Sequence, residues 1–136
     1  MADSIRSVDY FKMSTRNQPG EACSVLDKFK AARVNLVAFT GFPDGRKAQL
    51  DFVPADSKAF LAAAKKAKLR VSRAKQGFLI QGSDRVGAVC EILAKLARRK
   101  INVTAVDAVS AGRGRFGALL WVKAKDHKRA ANALDA

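Results

Sequence analysis

The chain repeats itself once. Asn17-Gln18-Pro19-Gly20 opens a helical pattern that runs to Arg33 and passes into Val34-Asn35-Leu36-Val37, while Asp84-Arg85-Val86-Gly87 opens another that runs to Lys100 and passes into Ile101-Asn102-Val103. The differences 84 − 17, 87 − 20, 90 − 23 (Cys on Cys), 93 − 26 (Leu on Leu) and 102 − 35 (Asn on Asn) are all 67. Two copies at so long a period predict two small globular units, 8–74 and 75–136, rather than a stacked solenoid. A unit of this size buries only about 60% of its unfolded surface, so each is expected to lean on its twin or on another chain.

Local signals order the elements. Val8–Met13 reads as a strand. Pro19-Gly20 opens a helix with Asn17 placed as its cap, and Ala22, Val25, Leu26, Phe29 and Ala32 form an apolar face. Asn35–Phe42 and the alternating Ala48, Leu50, Phe52 make a hairpin around Pro43-Asp44-Gly45. Asp56 or Ser57 caps an Ala-rich helix reaching about Ala67, and Leu69–Ser72 is expected as a closing strand. The second unit starts at once with the strand Lys75–Gln81. A helix ending in Arg98-Arg99-Lys100, a hairpin of Ile101–Ser110 and Arg115–Lys123, and a helix from Lys125 to Leu134 follow. The predicted class is α+β: two ferredoxin-like βαββαβ units in tandem, with antiparallel sheets and helices on one face.

The second unit has no segment for a fourth strand, so the edge of Lys75–Gln81 is expected to be covered, by strand exchange between units or by a partner chain. Along Phe116–Val122, Leu119 and Trp121 alternate with Phe116, Ala118, Leu120 and Val122, so both faces are apolar. A strand apolar on both faces is buried on both, and a homodimer through the second unit is the expectation.

Charge and composition exclude several functions. The net charge is +14, divided evenly: residues 1–74 carry 14 Lys/Arg against 7 Asp/Glu, and residues 75–136 carry 12 against 5. The excess therefore covers both units rather than a tail, and attracts anions in general. No run is long and apolar enough for a membrane span, and the first residues lack the apolar core of a signal peptide. Cys23 and Cys90 are expected to be buried, reduced packing residues, consistent with the cytoplasm.

His127 is the sole histidine, and no set of Cys, His or carboxylates suggests a metal site, a nucleophile or paired acid–base work. Neither an enzyme nor a cofactor is expected. Gly112-Arg113-Gly114-Arg115-Phe116-Gly117 spells a dinucleotide fingerprint, but a strand follows where the fingerprint needs a helix. The same strand lacks the stacking aromatics of an RNA-recognition platform, holding Ala118 and Leu120 instead.

What remains is the repeated junction. A polar residue (Asn17, Asp84) and a glycine (Gly20, Gly87) stand at a helix start, where backbone N–H groups attract carboxylates; an asparagine (Asn35, Asn102) stands at the next strand start and can donate and accept. Such groups suit a zwitterionic amino acid. They equally suit plain caps and turn residues.

These residues resemble the ACT domain family of small βαββαβ regulatory modules. Asn17-Gln18-Pro19-Gly20 with Val34-Asn35-Leu36 is close to the family's N/D-x-P-G, amphipathic helix and G-I/V-N-I, and Asp84-Arg85-Val86-Gly87 with Ile101-Asn102-Val103 is a second, more divergent copy. The first copy is similar to the serine-sensing domain of phosphoglycerate dehydrogenases. The resemblance implies an amino-acid effector held between ACT units by Asn17, Pro19, Gly20 and Asn35, with Asp84, Gly87 and Asn102 as the second set. In the second copy Val86 replaces the proline, and Asp84 would repel an effector carboxylate but could hold its ammonium.

The expected function is thus a stand-alone tandem regulatory protein acting on a separate enzyme or regulator. The alternatives are a basic module binding nucleic acid or another polyanion through Arg98, Arg99, Lys100, Arg113 and Arg115, and a degenerate ACT pair serving only as a dimerisation scaffold.

Overall fold

The computed structural model describes residues 3–136. The elements are β1 (Ser4–Arg16), α1 (Glu21–Ala31), β2 (Leu36–Asp44), β3 (Lys47–Pro54), α2 (Ser57–Lys66), β4 (Lys75–Ser83), α3 (Ala88–Arg98), β5 (Val103–Gly112), β6 (Arg115–Val122), a 3-10 turn (Ala124–Asp126) and α4 (His127–Leu134). The 67-residue offset survives at the level of single hydrogen bonds. Val34 N–H reaches back to Phe29 O at the end of α1, as Ile101 N–H does to Leu96 O at the end of α3 (2.9 and 3.0 Å). Leu69 N–H to Ala64 O and Ala136 N–H to Ala131 O repeat the same closure after α2 and α4, both at 2.9 Å. These six-residue closures need a left-handed residue just before the closing N–H. Arg33, Lys68, Lys100 and Asp135 supply it, with φ of 60, 57, 55 and 58°.

The chain divides into two units, Asp9–Lys75 and residues 3–8 with Gln76–Ala136. In the first, the strand order is β2-β3-β1, all antiparallel, with Phe11 opposite Phe52 and Phe52 opposite Phe39. Its core is aromatic. Phe60 of α2 stacks on Phe29 of α1 at 4.5 Å and on Phe11 of β1 at 4.9 Å, and Phe52 leans on both Phe29 and Phe60 at 5.4 Å. The β2–β3 turn is Gly45-Arg46, with Gly45 at φ 64°. Pro43 therefore lies inside β2 rather than in the turn as expected, which costs no ladder bond where an edge strand turns that N–H position outward.

The expected strand Leu69–Ser72 does not form; those residues are extended and irregular. The reason lies at Ser72, whose N–H donates to Lys12 O while its Oγ, not its carbonyl, accepts from Lys12 N–H, both at 2.9 Å. A side chain takes the ladder position, so pairing with β1 stops after one residue.

In the second unit the order is β1-β4-β6-β5. The open edge of β4 is covered by the start of β1, so the missing strand comes from the N-terminal end of the chain. Val8 is buried and Ile5 packs on the core of Phe78, Ile80, Ile92, Leu96 and Leu120. Asp3 lays its carboxylate against Gly82, where a larger residue would have to displace it. Along β6, Phe116, Ala118, Leu120 and Val122 pack into the core of this unit, and Leu119 and Trp121 of the other face are 4% and 7% exposed. No described helix is long and apolar enough to cross a membrane.

Candidate functional site

Each unit begins its first helix on a left-handed glycine. Gly20 (φ 87°) and Gly87 (φ 81°) are the N-caps of α1 and α3, and neither helix has a side-chain cap. Asn17 is therefore not the cap expected of it: it lies three residues before the N-cap Gly20, and its own N–H donates to Arg46 O at 3.4 Å. In both copies a tight turn precedes the helix, Glu21 N–H to Gln18 O and Ala88 N–H to Arg85 O, each 3.3 Å. The next two N–H groups, at 22 and 23 or 89 and 90, lie in the first turn, where a helix offers unpaired donors and positive potential.

Cys23 and Cys90 stand at this place and are exposed, not buried as expected. At about 100° per residue, position 23 falls to the side of the stripe through Val25, Leu26 and Phe29.

Around Gly87 the second unit forms a cleft of about 270 Å³, lined by Asp84, Arg85 and Gly87, the first turn of α3, and Ala108, Val109 and Ser110 of β5. Asp84 is held at two points: its N–H donates to Gly114 O (2.8 Å) and its Oδ2 accepts from Ser110 Oγ (3.2 Å). The cleft thus places a carboxylate and a hydroxyl facing a helix start. Arg85 forms its wall. It donates from Nη1 to Asp3 Oδ1 (3.1 Å), from Nη2 to Asp3 Oδ2 (3.1 Å), and from Nε to Glu91 Oε2 (2.8 Å). The guanidinium hydrogen bond holds the Asp3 carboxyl below its ordinary range, and both carboxylates push the Arg85 pKa up. Ser110 and Arg85 were not singled out from the sequence, because their role depends on a strand brought beside the helix start and on the N-terminal segment.

The other predicted residues lie elsewhere. Asn35 and Asn102 follow the C-terminal ends of α1 and α3, an 11-residue helix away from Gly20 and Gly87, or about 16 Å along the axis. Within one unit the two halves of the expected site do not meet. Asn35 lines a separate, open cleft with Lys30, Arg33 and Leu36. Asn17, Pro19, Asn35, Asp84 and Asn102 are all exposed.

The five basic candidates are likewise split. Arg98, Arg99 and Lys100 end α3, whereas Arg113 and Arg115 flank Gly114, whose carbonyl is bonded at the α3 start. They do not form one surface. No group of three His, Cys, Asp or Glu able to hold a metal exists among the described residues.

His127, the sole histidine, is half-buried. It stacks flat on Phe78 (4.4 Å, 6°), and its Nε2 lies 3.0 Å from Ser7 Oγ of the covering strand. Its Nδ1 is enclosed without a hydrogen-bond partner, and burial pushes its pKa down. The 67-residue offset could have flagged it: position 127 corresponds to Phe60 and position 78 to Phe11.

No family model and no curated protein matches the chain in sequence. Solved structures match its backbone. A protein of Bacteroides thetaiotaomicron superposes with a TM-score of 0.83 at 14% identity, covering 96% of this chain and 88% of that one. The ligand-free regulatory subunit of aspartate kinase from Thermus thermophilus gives 0.63 at 13% identity, over 99% and 95%. The corresponding subunit from Thermus flavus gives 0.60 at 15%, over the same shares. The chain therefore has the α+β fold found in regulatory subunits of aspartate kinase, over nearly its full length.

Proposed function

We propose that the chain is an ACT-type regulatory protein that binds a small amino acid at its helix-start junctions and acts on a separate enzyme. The observation that carries this reading is the repeated junction: a left-handed glycine, an uncapped helix start, and in the second unit a cleft in which Asp84 and Ser110 face that start. An effector carboxylate would sit on the N–H groups of Val89 and Cys90, where the helix potential favours it. Its ammonium would sit on Asp84, and its side chain against Val109. Asn17, Pro19 and Gly20 form the corresponding set in the first unit.

Because Asn35 and Asn102 lie a helix length away within their own units, they would contact the same effector from another ACT unit, and the proposed homodimer supplies such a unit. Regulation then follows from differential affinity: the effector stabilises the assembly whose two halves it touches.

A thermal-shift panel of the common amino acids, with sedimentation at each hit, tests this. The expected result is stabilisation by one or a few amino acids at or below millimolar concentration, lost in Asp84→Ala. If no amino acid shifts the melting temperature at that concentration, the reading fails for those ligands and the scaffold alternative takes its place.

A further inference from the structure

The positive charge of the second unit is not evenly spread, and its distribution marks an interaction surface. At the start of α3 the charges are matched, Arg85 being engaged by Asp3 and Glu91. At the opposite end they are not. Three segments converge there: the end of α3 with Arg98, Arg99 and Lys100, the end of β6 with Lys123, and the turn into α4 with Lys125 and Lys128. Two contacts hold the segments together. Val103 pairs with Val122, which brings the chain after Lys100 beside Lys123. Arg129 of α4 donates from Nη2 to Arg99 O at 2.7 Å, locking α4 against the end of α3. Arg129 is itself neutralised by Asp126 at 3.1 Å. The six remaining cations are exposed and have no ion-pair partner among the described residues.

We infer that this end of the second unit binds the phosphate backbone of a nucleic acid duplex, without reading its sequence. Lysines and arginines at this density neutralise successive phosphates and release their counterions. The surface presents no exposed large apolar side chain: those that are exposed, such as Phe39, Phe42 and Val109, lie on other segments. It therefore lacks the apolar face by which a helix enters a membrane interface. It also lacks the aromatic platform on which single strands stack. The surface differs from the cationic set suggested by the sequence in gaining Lys123, Lys125 and Lys128 and losing Arg113 and Arg115.

The test is fluorescence anisotropy of the full chain with 20-base-pair DNA and RNA duplexes of two unrelated sequences. Contact with about four phosphates gives a log–log salt slope of about −3.6, so affinity should fall about 150-fold from 50 to 200 mM salt, equally for both sequences. The variant Arg98→Gln/Arg99→Gln/Lys128→Gln should bind at least about 30-fold more weakly at 50 mM salt and lose about 2.7 from the slope. The control Lys58→Gln/Lys65→Gln/Lys66→Gln on α2 removes the same charge and should leave binding nearly unchanged. Melting curves confirm that both variants fold. The inference is overturned if neither duplex binds at 50 mM salt, or if the control weakens binding as much as the surface variant. Anionic vesicles binding more tightly than either duplex, with the same dependence on the surface variant, would overturn it too.

Discussion

In the first unit Phe60 stacks on Phe11, and 67 residues later His127 stacks on Phe78, the ring planes at 23° and 6°. The backbone plan is the same and the filling is not. The first unit closes around Phe11, Phe29 and Phe52, each in ring contact with Phe60, all four essentially inaccessible. The second packs mainly aliphatic side chains, puts a titratable ring where its twin has a phenyl group, and uses the first residues of the chain as a strand. Helix capping follows the same division. Asp56 accepts from Ala59 N–H at 3.1 Å and starts α2 cleanly. Its counterpart Lys123 can accept nothing through its side chain, and the corresponding turn is 3-10 before α4 begins. One copy thus closes on an aromatic core, and the other draws on the first residues of the chain and carries a titratable ring in its packing.

The largest expected effect is in the aromatic core. Phe60→Ala should cost about 3–5 kcal/mol in denaturant unfolding, and His127→Ala distinctly less because its ring is half-exposed; equal costs would erase the distinction between the units.

Removing residues 1–8 comes next. It strips Ile5, Val8 and the Asp3–Arg85 pair from the second unit, an expected loss of roughly 2–4 kcal/mol from the apolar burial. Hydrogen exchange should show the amides of β4 losing protection while those pairing β2 with β3 keep theirs. Uniform loss across both units would show that the N-terminal segment supports the whole chain instead.

A smaller effect is expected from pH. Burial depresses the His127 pKa in the folded state, so the neutral ring contributes stability that is complete above the unfolded value of about 6.5 and is lost as pH falls through the folded pKa. Urea midpoints should drop as pH falls below about 6.5, and His127→Phe, which restores the residue type of the first unit, should flatten that part of the profile. An unchanged profile in the variant would transfer the dependence to other groups.

The smallest effect concerns the left-handed residues that end the helices. Lys100→Gly relieves a positive φ of 55° and should stabilise by about 0.5 kcal/mol, the relief of backbone strain being partly offset by the freer unfolded chain. Arg33→Gly should do the same in the first unit. Stabilisation in only one of them would reveal a cost that the shared geometry does not explain.

Much of this arrangement was legible from local rules. Gly20 and Gly87 mark helix starts, the glycines of 111–114 mark a hairpin turn that the structure narrows to Arg113-Gly114, and the apolar stripe of Val25 and Phe29 marks a buried face, because each depends on neighbours within a turn or two of chain. The errors arose where a local reading met a competing bond. Asn17 had the chemistry of a cap, but the Gln18–Glu21 turn moved the helix start to Gly20. Leu69–Ser72 had the composition of a strand, but the Ser72 hydroxyl displaced the ladder.

The sequence by itself determined that the same landmarks recur at a constant offset of 67 and which stretches are helical or paired, since hydrophobic period, glycine conformation and helix termini act over a few residues. Only the tertiary structure decided that the start of β1 covers β4 and that Ser7 of that strand meets His127. Those outcomes rest on pairings between residues some 70 to 120 positions apart, such as Val8 with the β4 edge or Ser7 with His127, and no local pattern encodes which of several possible partners such a segment will find.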